Sequence, residues 1–143
     1  QDSDFVIFAR TDALAVEGLD AAIERANNYA ATGADVCFVE GPTDKEQLER
    51  IPREVNVPLL ANMLTGGVTP ILPFADLEQL GYKIAVCPVA GLMATGRALQ
   101  CLTESFLSTG RVDDAPERMM SFNEIKQLLG VDEVLNLRQR LES

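Results

Sequence analysis

Polar side chains follow three short apolar runs of the sequence, at the point where each run ends. Arg10 and Asp12 follow the first run, Glu40 the second and Asn62 the third. An arginine can hold a carboxylate or phosphate through two parallel hydrogen bonds, and an asparagine amide supplies both a donor and an acceptor. Glu40 could orient the arginine or accept a hydrogen bond from a substrate hydroxyl. These residue types predict a site for a small anionic molecule.

Each of these residues also has a purely structural interpretation. Asp12 could cap the turn that follows it and form an ion pair with Arg10. Glu40 could be a solvated loop residue before a Gly-Pro step, and Asn62 could brace the Gly-Gly turn at residues 66–67. That Gly-Gly pair alone is a weak phosphate-loop signal, because it lacks the Lys-Ser/Thr of a Walker motif. Both sets of interpretations stay open at this point.

The elements that would position these residues recur about every 25 residues. Short β-branched runs predict strands, and apolar residues at i, i+3, i+4 and i+7 predict amphipathic helices between them. Thr43 with Glu46 forms a capping-box pattern, and Pro52 is expected to limit the helix that follows. The predicted strands cover residues 5–10, 35–40, 58–63 and 82–88, and the predicted helices cover residues 19–30, about 45–51, 76–80 and 92–107.

The pattern changes after Gly110. Residues 111–120 form an acidic connector, Ser121 with Glu124 forms a second capping-box pattern, and two short helices are predicted to follow. The expected domains are therefore an α/β part at residues 1–110 and a helical extension at residues 111–143.

Alternation of apolar strands with helices predicts a parallel sheet covered on both faces. Two architectures fit, an open doubly wound sheet and half of a (β/α)₈ barrel. A complete barrel takes about 250 residues, so four units in about 110 residues correspond to half of one. In both architectures the site lies at the carboxyl ends of the strands, where the loops converge.

Composition excludes several classes of function. The 143 residues contain 12 Lys+Arg and 22 Asp+Glu, a formal charge of −10, which argues against binding to nucleic acid or anionic lipid. No apolar run approaches the ~20 residues of a membrane helix, and the first residues lack a basic signal-peptide start. The chain contains no histidine, which excludes Ser–His and Cys–His catalysis by its own residues. A cytoplasmic location is expected.

The three cysteines lie inside apolar segments. Their odd number favours buried free thiols over a disulfide framework. Cys37, in the middle of a predicted strand, is expected to be an inert core thiol. Cys87 lies nearer a strand end, but no neighbouring base would make it a nucleophile.

Four segments in the same order resemble the isocitrate lyase/phosphoenolpyruvate mutase superfamily. The resemblance covers essentially the whole chain and depends on ARTDA at residues 9–13, FVEGP at 38–42, LANMLTGGVTP at 60–70 and LEQLGYKIAVCPVAGLMATGRAL at 77–99. It implies a (β/α)₈ barrel with extra C-terminal helices exchanged between the subunits of a dimer or tetramer, of which this chain is the C-terminal half. It also implies Mg²⁺-dependent cleavage of a C–C bond in a small 2-hydroxy or 2-oxo di- or tricarboxylate.

The resemblance also implies roles for single residues. Arg10 would bind a substrate carboxylate and act in catalysis, Glu40 would be a polar residue on the substrate side that binds the substrate and acts in catalysis, and Asn62 would bind a substrate carboxylate. Pro88 matches the proline after the last strand. The Mg²⁺ carboxylates and the mobile catalytic loop of the family lie on the first four βα units, so no metal ligand is expected in this chain. Leu64 and Thr65 depart from the methylisocitrate lyase pattern, and GGVTP is more similar to the branch of dimethylmalate lyases, oxaloacetate hydrolases and phosphonate-cleaving relatives.

Two other functions stay open. The chain could belong to a phosphonate C–P mutase or hydrolase of the same superfamily. It could also be a stand-alone flavodoxin-like binding module without catalysis.

Overall fold

The computed structural model of the protein describes residues 4–112 and 119–142, so part of the predicted connector, residues 113–118, lies outside the described residues. The chain divides into two compact units, one ending at Gly91 and the other beginning at Leu92. The predicted division into residues 1–110 and 111–143 stays a prediction.

In chain order the elements are β1 (Phe8–Thr11), α1 (Ala13–Glu17), α2 (Leu19–Ala31), β2 (Val36–Val39), α3 (Lys45–Glu54), β3 (Leu60–Asn62), α4 (Phe74–Leu80), β4 (Ile84–Val86), α5 (Ala90–Thr109), α6 (Phe122–Leu128) and α7 (Val131–Glu142).

The four strands run parallel in two small sheets. β1 pairs with β2, and β3 pairs with β4. An isolated parallel bridge between Cys37 and Leu59 joins β2 to β3, with the Cys37 amide donating to the Pro58 carbonyl at 3.0 Å. The strands therefore lie side by side in the order of the sequence. Mixed α/β structure with parallel strands agrees with the prediction, although each strand is shorter than its apolar run.

Two helix predictions need correction. The helix after β2 is capped by Asp44, whose side chain accepts a hydrogen bond from the Gln47 amide at 2.8 Å, and not by Thr43. The Gln47 side chain in turn accepts from the Thr43 amide at 2.8 Å, so the whole cap lies one residue later than the sequence pattern suggested. Pro52 lies inside this helix, which continues to Glu54, because proline near the end of a helix removes only one backbone bond.

The core of the first unit lies between the strands and helices α2, α3 and α4. Its largest fully buried side chains are Leu48, Ile51, Leu59 and Leu77. Leu48 and Ile51 share one face of α3 because residues three apart lie together on a helix. A tight packing of this kind makes the sheet a rigid platform for the residues at its carboxyl end.

The two faces of the strands are in different environments. The side chains that enter the core form one face, which we call the covered face: Cys37, Val39, Leu59 and Ala61. Alternate residues point to the opposite side, and we call this the open face: Phe8, Arg10, Val36, Phe38, Glu40, Leu60, Asn62, Ile84 and Val86. Among these side chains only Val36, at 6% exposure, is buried, and the others are half-buried or exposed. The expectation of a sheet covered on both faces is therefore wrong for most of the open face in the first unit.

The second unit contains most of α5 and the helices α6 and α7. The predicted capping box of α6 is confirmed, since the Glu124 amide donates to Ser121 Oγ at 3.2 Å and the Ser121 amide donates to a Glu124 carboxylate oxygen at 2.7 Å. All buried apolar side chains of the described residues belong to the first unit. Within residues 4–112 and 119–142, no helix combines the length and the apolarity needed to cross a membrane.

Candidate functional site

The predicted site residues lie in one row at the carboxyl end of the sheet. Register pairs Thr11 with Val39, and the Glu40 amide donates to the Thr11 carbonyl at 3.0 Å, which brings Glu40 beside the end of β1. Glu40 and Asn62 each lie three residues beyond the Cys37–Leu59 bridge on their strands, so they stand at the same level of the sheet. The backbone therefore aligns the ends of three neighbouring strands, as expected for a parallel sheet.

Arg10 lies between two carboxylates. Its Nη2 and Nε donate to the carboxylate of Asp12 at 2.7 and 3.1 Å, and Nη2 lies 3.4 Å from Glu40 Oε2 without the geometry of a hydrogen bond. The Arg10 side chain is 54% exposed and the Asp12 side chain 64%. The hydrogen bonds from Arg10 lower the pKa of the Asp12 carboxyl below its ordinary value. Both sequence interpretations of Arg10 therefore have a structural basis, the ion pair with Asp12 and a position at the site.

Two buried oxygen atoms at this site have no hydrogen-bond donor among the described residues. They are Oε2 of Glu40 and Oδ1 of Asn62. Buried acceptors are normally paired, because an unpaired one costs about 1–3 kcal/mol. These two oxygens are therefore suited to a ligand that brings its own donor.

Phe38 belongs to the site, and the sequence analysis did not identify it. It precedes Glu40 by two residues, and its ring lies under the Arg10 guanidinium with 5.2 Å between Cζ and the ring centroid. The period of two along a strand is the signal that could have revealed it, because residues 38 and 40 share a face.

The turn after β3 explains the Gly-Gly pair. A side chain at Gly67 would lie 3.1 Å from the Leu64 carbonyl oxygen, and Gly66 has a φ of +80° that favours glycine. The backbone conformation of this turn therefore accounts for both glycines, and no bound phosphate is needed to explain them. In the same loop, Val68 lies 3.7 Å from the point where a side chain at Gly41 would begin, so the loops after β2 and β3 are in contact.

The three cysteines differ in their environments. Cys37 is fully buried, its thiol donates to the Ala26 carbonyl at 3.3 Å, and burial raises the thiol pKa. This agrees with an inert core thiol. Cys101 is half-buried, and Cys87 is exposed, so the expectation of a buried thiol is wrong for Cys87. β4 ends at Val86, one residue before it, and the core does not reach that point.

The site residues do not suit a metal ion. Among the described residues, no group of three or more His, Cys, Asp or Glu side chains is arranged to hold one. Asp12 and Glu40 both face the positive charge of Arg10, which leaves them poorly suited as ligands of Mg²⁺. The arrangement instead resembles an anion site, with one guanidinium for negative charge and two acceptors for donor groups.

An arginine, a glutamate and an asparagine at the carboxyl ends of parallel strands are residue types that suit a site for a small anion. The family model described as phosphoenolpyruvate phosphomutase matches residues 1–107. The chain belongs to this family, and the predicted membership of the isocitrate lyase/phosphoenolpyruvate mutase superfamily is confirmed.

Two curated relatives place the chain near the lyases of the superfamily. It is 37% identical over 131 residues to 2,3-dimethylmalate lyase of Eubacterium barkeri, an alignment that covers 92% of the chain and 45% of that protein. It is 39% identical over 124 residues to 2-methylisocitrate lyase of Escherichia coli, covering 87% of the chain and 42% of that protein. The chain thus spans less than half the length of these relatives.

The same fold occurs in solved structures of other proteins. Oxaloacetate acetylhydrolase in complex with its product oxalate superposes with a TM-score of 0.87 at 26% identity, covering 98% of this chain and 48% of that one.

Proposed function

We propose that the protein to which this chain belongs is a carbon–carbon lyase or hydrolase acting on a small 2-hydroxy or 2-oxo di- or tricarboxylate. The observation that carries the proposal is the row formed by Arg10, Glu40 and Asn62 at the carboxyl ends of neighbouring parallel strands. Family membership supports the general kind of reaction.

We further infer that the chain is the C-terminal half of a (β/α)₈ barrel. The strands follow one another in sequence order without the reversal that a doubly wound sheet requires. The open face has the side chains of a barrel interior without the other half that would enclose it. On this proposal residues 1–110 supply four βα units, and residues 111–143 form a helical extension that can be exchanged between subunits of a homo-oligomer.

Each residue of the row has a distinct role in this proposal. Arg10 binds a carboxylate of the substrate and stabilises negative charge that develops as the C–C bond breaks and the electron pair moves onto an enolate oxygen. Asn62 binds a second polar group through its amide. Glu40 lies 3.4 Å from Arg10 Nη2 and keeps the guanidinium on the substrate side.

The unpaired acceptors favour substrates with a hydroxyl group. Glu40 Oε2 and Asn62 Oδ1 both require a donor, and an ionised carboxylate can only accept hydrogen bonds. A 2-hydroxy acid carries a hydroxyl hydrogen that it can donate to one of them, whereas the oxo group of a 2-oxo acid only accepts. Within the proposed substrate class, the hydroxy acids of the dimethylmalate type therefore fit this site better.

Mg²⁺ stays a prediction for the complete barrel. The described residues of this chain do not fit the ion, so its ligands would come from outside the chain. A cytoplasmic location and a dimer or tetramer are proposals of the same kind.

The proposal is tested with the complete natural polypeptide that contains this chain. Purified protein with Mg²⁺ is incubated with 2,3-dimethylmalate, 2-methylisocitrate, oxaloacetate and phosphonopyruvate, and products are measured by mass spectrometry. We expect C–C cleavage, with the highest kcat/KM for a hydroxy acid. Turnover of phosphonopyruvate alone would assign the protein to C–P chemistry, and no turnover with any of the four would favour a non-catalytic binding module.

A further inference from the structure

We propose that Phe38 is a positioning residue for Arg10, whose ring fixes the plane of the guanidinium so that it can bind a substrate carboxylate. This inference rests on the proposed function, because it requires that Arg10 binds a carboxylate. Phe38 itself need not touch the substrate.

The backbone brings the two side chains within reach of each other. Arg10 and Phe38 are direct register partners in β1 and β2, and both lie on the open face. Side chains of directly opposed residues lie within contact distance across neighbouring strands. The 5.2 Å from Arg10 Cζ to the ring centroid lies within the range of a cation–π interaction.

The other contacts of Arg10 leave its plane weakly restrained. The hydrogen bonds that Arg10 donates to Asp12 use one edge of the guanidinium, Nε and Nη2, and water screens an ion pair between side chains this exposed. The contact with Glu40 lacks hydrogen-bond geometry. The Phe38 ring lies beneath the guanidinium, with 5.2 Å from Cζ to the ring centroid, and adds a contact that is separate from the hydrogen bonds to Asp12. On this proposal the ring limits the tilt that the hydrogen bonds allow, while Nη1, which takes no part in them, keeps its donors for a ligand.

Phe38 is not part of the core of the first unit. Its neighbours Cys37 and Val39 belong to the buried cluster, whereas Phe38 is half-buried on the opposite face. Packing of the core therefore does not require an aromatic ring at residue 38. The contact that specifically uses the aromatic ring is the one with Arg10.

The experiment measures binding of oxalate to the complete polypeptide by titration calorimetry in excess Mg²⁺. Oxalate is the probe because it presents two carboxylates and undergoes no turnover that would obscure the titration. We expect Phe38→Leu to weaken oxalate binding about three- to tenfold, the range of a partly desolvated cation–π contact. Phe38→Tyr keeps the ring and serves as the matched control, with binding expected within about twofold of wild type.

The decisive comparison is made in an Arg10→Gln background, which lacks the cation. There Phe38→Leu should have no further effect on the oxalate dissociation constant, because a positioning residue acts only through the residue it positions. Equal weakening in both backgrounds would overturn the proposal, since Phe38 would then act on the ligand or the fold directly. Unchanged binding in Phe38→Leu alone would also overturn it.

Two controls separate the possible failures. Melting temperatures of all variants are compared, and Phe38→Met replaces Phe38→Leu should the leucine variant fail to fold. If Arg10→Gln leaves oxalate binding unchanged, the carboxylate role of Arg10 in the proposed function is wrong, and the inference about Phe38 falls with it. If Arg10→Gln weakens binding but the two Phe38→Leu effects are equal, only the inference about Phe38 is wrong.

Discussion

The covered and open faces of the sheet share one backbone but have opposite chemistry. Cys37 and Val39 lie on the covered face against helices, whereas Phe38 and Glu40, which alternate with them, lie on the open face beside Arg10. The difference arises because successive residues of a strand point to opposite sides. One strand therefore supplies stability with one set of residues and a site with the other, and substitutions on the two faces should separate these effects.

The largest effect is expected on the covered face. Leu59 is 2% exposed within the core, and Leu59→Ala should lower the free energy of unfolding by about 2–5 kcal/mol through lost burial and a residual cavity. Chemical denaturation measures this. Val16, which is 83% exposed in α1, is the control, and Val16→Ala should change stability by about 0.5 kcal/mol or less. Equal effects of the two substitutions would contradict the assignment of the core.

A second substitution tests whether the open face stays open in the complete protein. Leu60 neighbours Leu59 but lies on the open face and is half-buried in this chain. If the open face lines a barrel interior, Leu60→Ala in the complete polypeptide should cost about 2–4 kcal/mol of unfolding free energy. A loss close to zero in the same denaturation experiment would mean that the face remains in contact with solvent, which contradicts the half-barrel proposal.

A third substitution separates the two interpretations of Arg10. Arg10→Lys keeps the charge but loses the planar pair of donors, so kcat/KM with the best substrate should fall about tenfold to a hundredfold, or roughly 1.5–3 kcal/mol. The melting temperature should change little, because the side chain is half exposed. A shifted melting temperature with unchanged kcat/KM would show that Arg10 serves mainly the ion pair with Asp12.

The smallest effect concerns the pH dependence of that ion pair. The Arg10 hydrogen bonds lower the folded-state pKa of Asp12, so the contribution of the pair is present above the ordinary carboxyl pKa and is lost as the pH falls through the folded value. The melting temperature of wild type should therefore exceed that of Asp12→Asn slightly at neutral pH, and the difference should disappear in acid. A difference that grows in acid would contradict this sign.

Much of the fold could be predicted from the sequence because its apolar runs and helical spacing are regular. The approximate position of every strand, the helices from α2 to α7 and the cap at Ser121 followed from local patterns. The short helix α1 was missed, since five residues carry too little periodicity. The cap at Asp44 was placed one residue early, because Thr43 and Asp44 are both good capping residues and only tertiary structure selects between them.

The positions of the candidate site residues at strand ends could be predicted from the sequence, but their contacts could not. Arg10, Glu40 and Asn62 were proposed from the abrupt change to polar residues at the ends of the apolar runs, and their roles stay predictions. The contact with Phe38 and the unpaired oxygens of Glu40 and Asn62 depend on strand register, which the sequence alone does not fix. The incomplete cover of the open face was not predicted. Apolar strands indicate that both of their faces are buried, but they do not show which segment of the chain covers each face.

The single bridge between β2 and β3 has a consequence for motion. Arg10 and Glu40 belong to one pair of strands and Asn62 to the other, and among the described residues the Cys37–Leu59 bridge is the one strand bridge between the pairs. Core packing holds this junction closed, but its opening breaks fewer backbone hydrogen bonds than the separation of either pair. A ligand that contacts all three side chains spans the junction and opposes its opening. Hydrogen exchange of the Cys37 amide, which bonds across the junction to Pro58, should therefore slow when the site is filled.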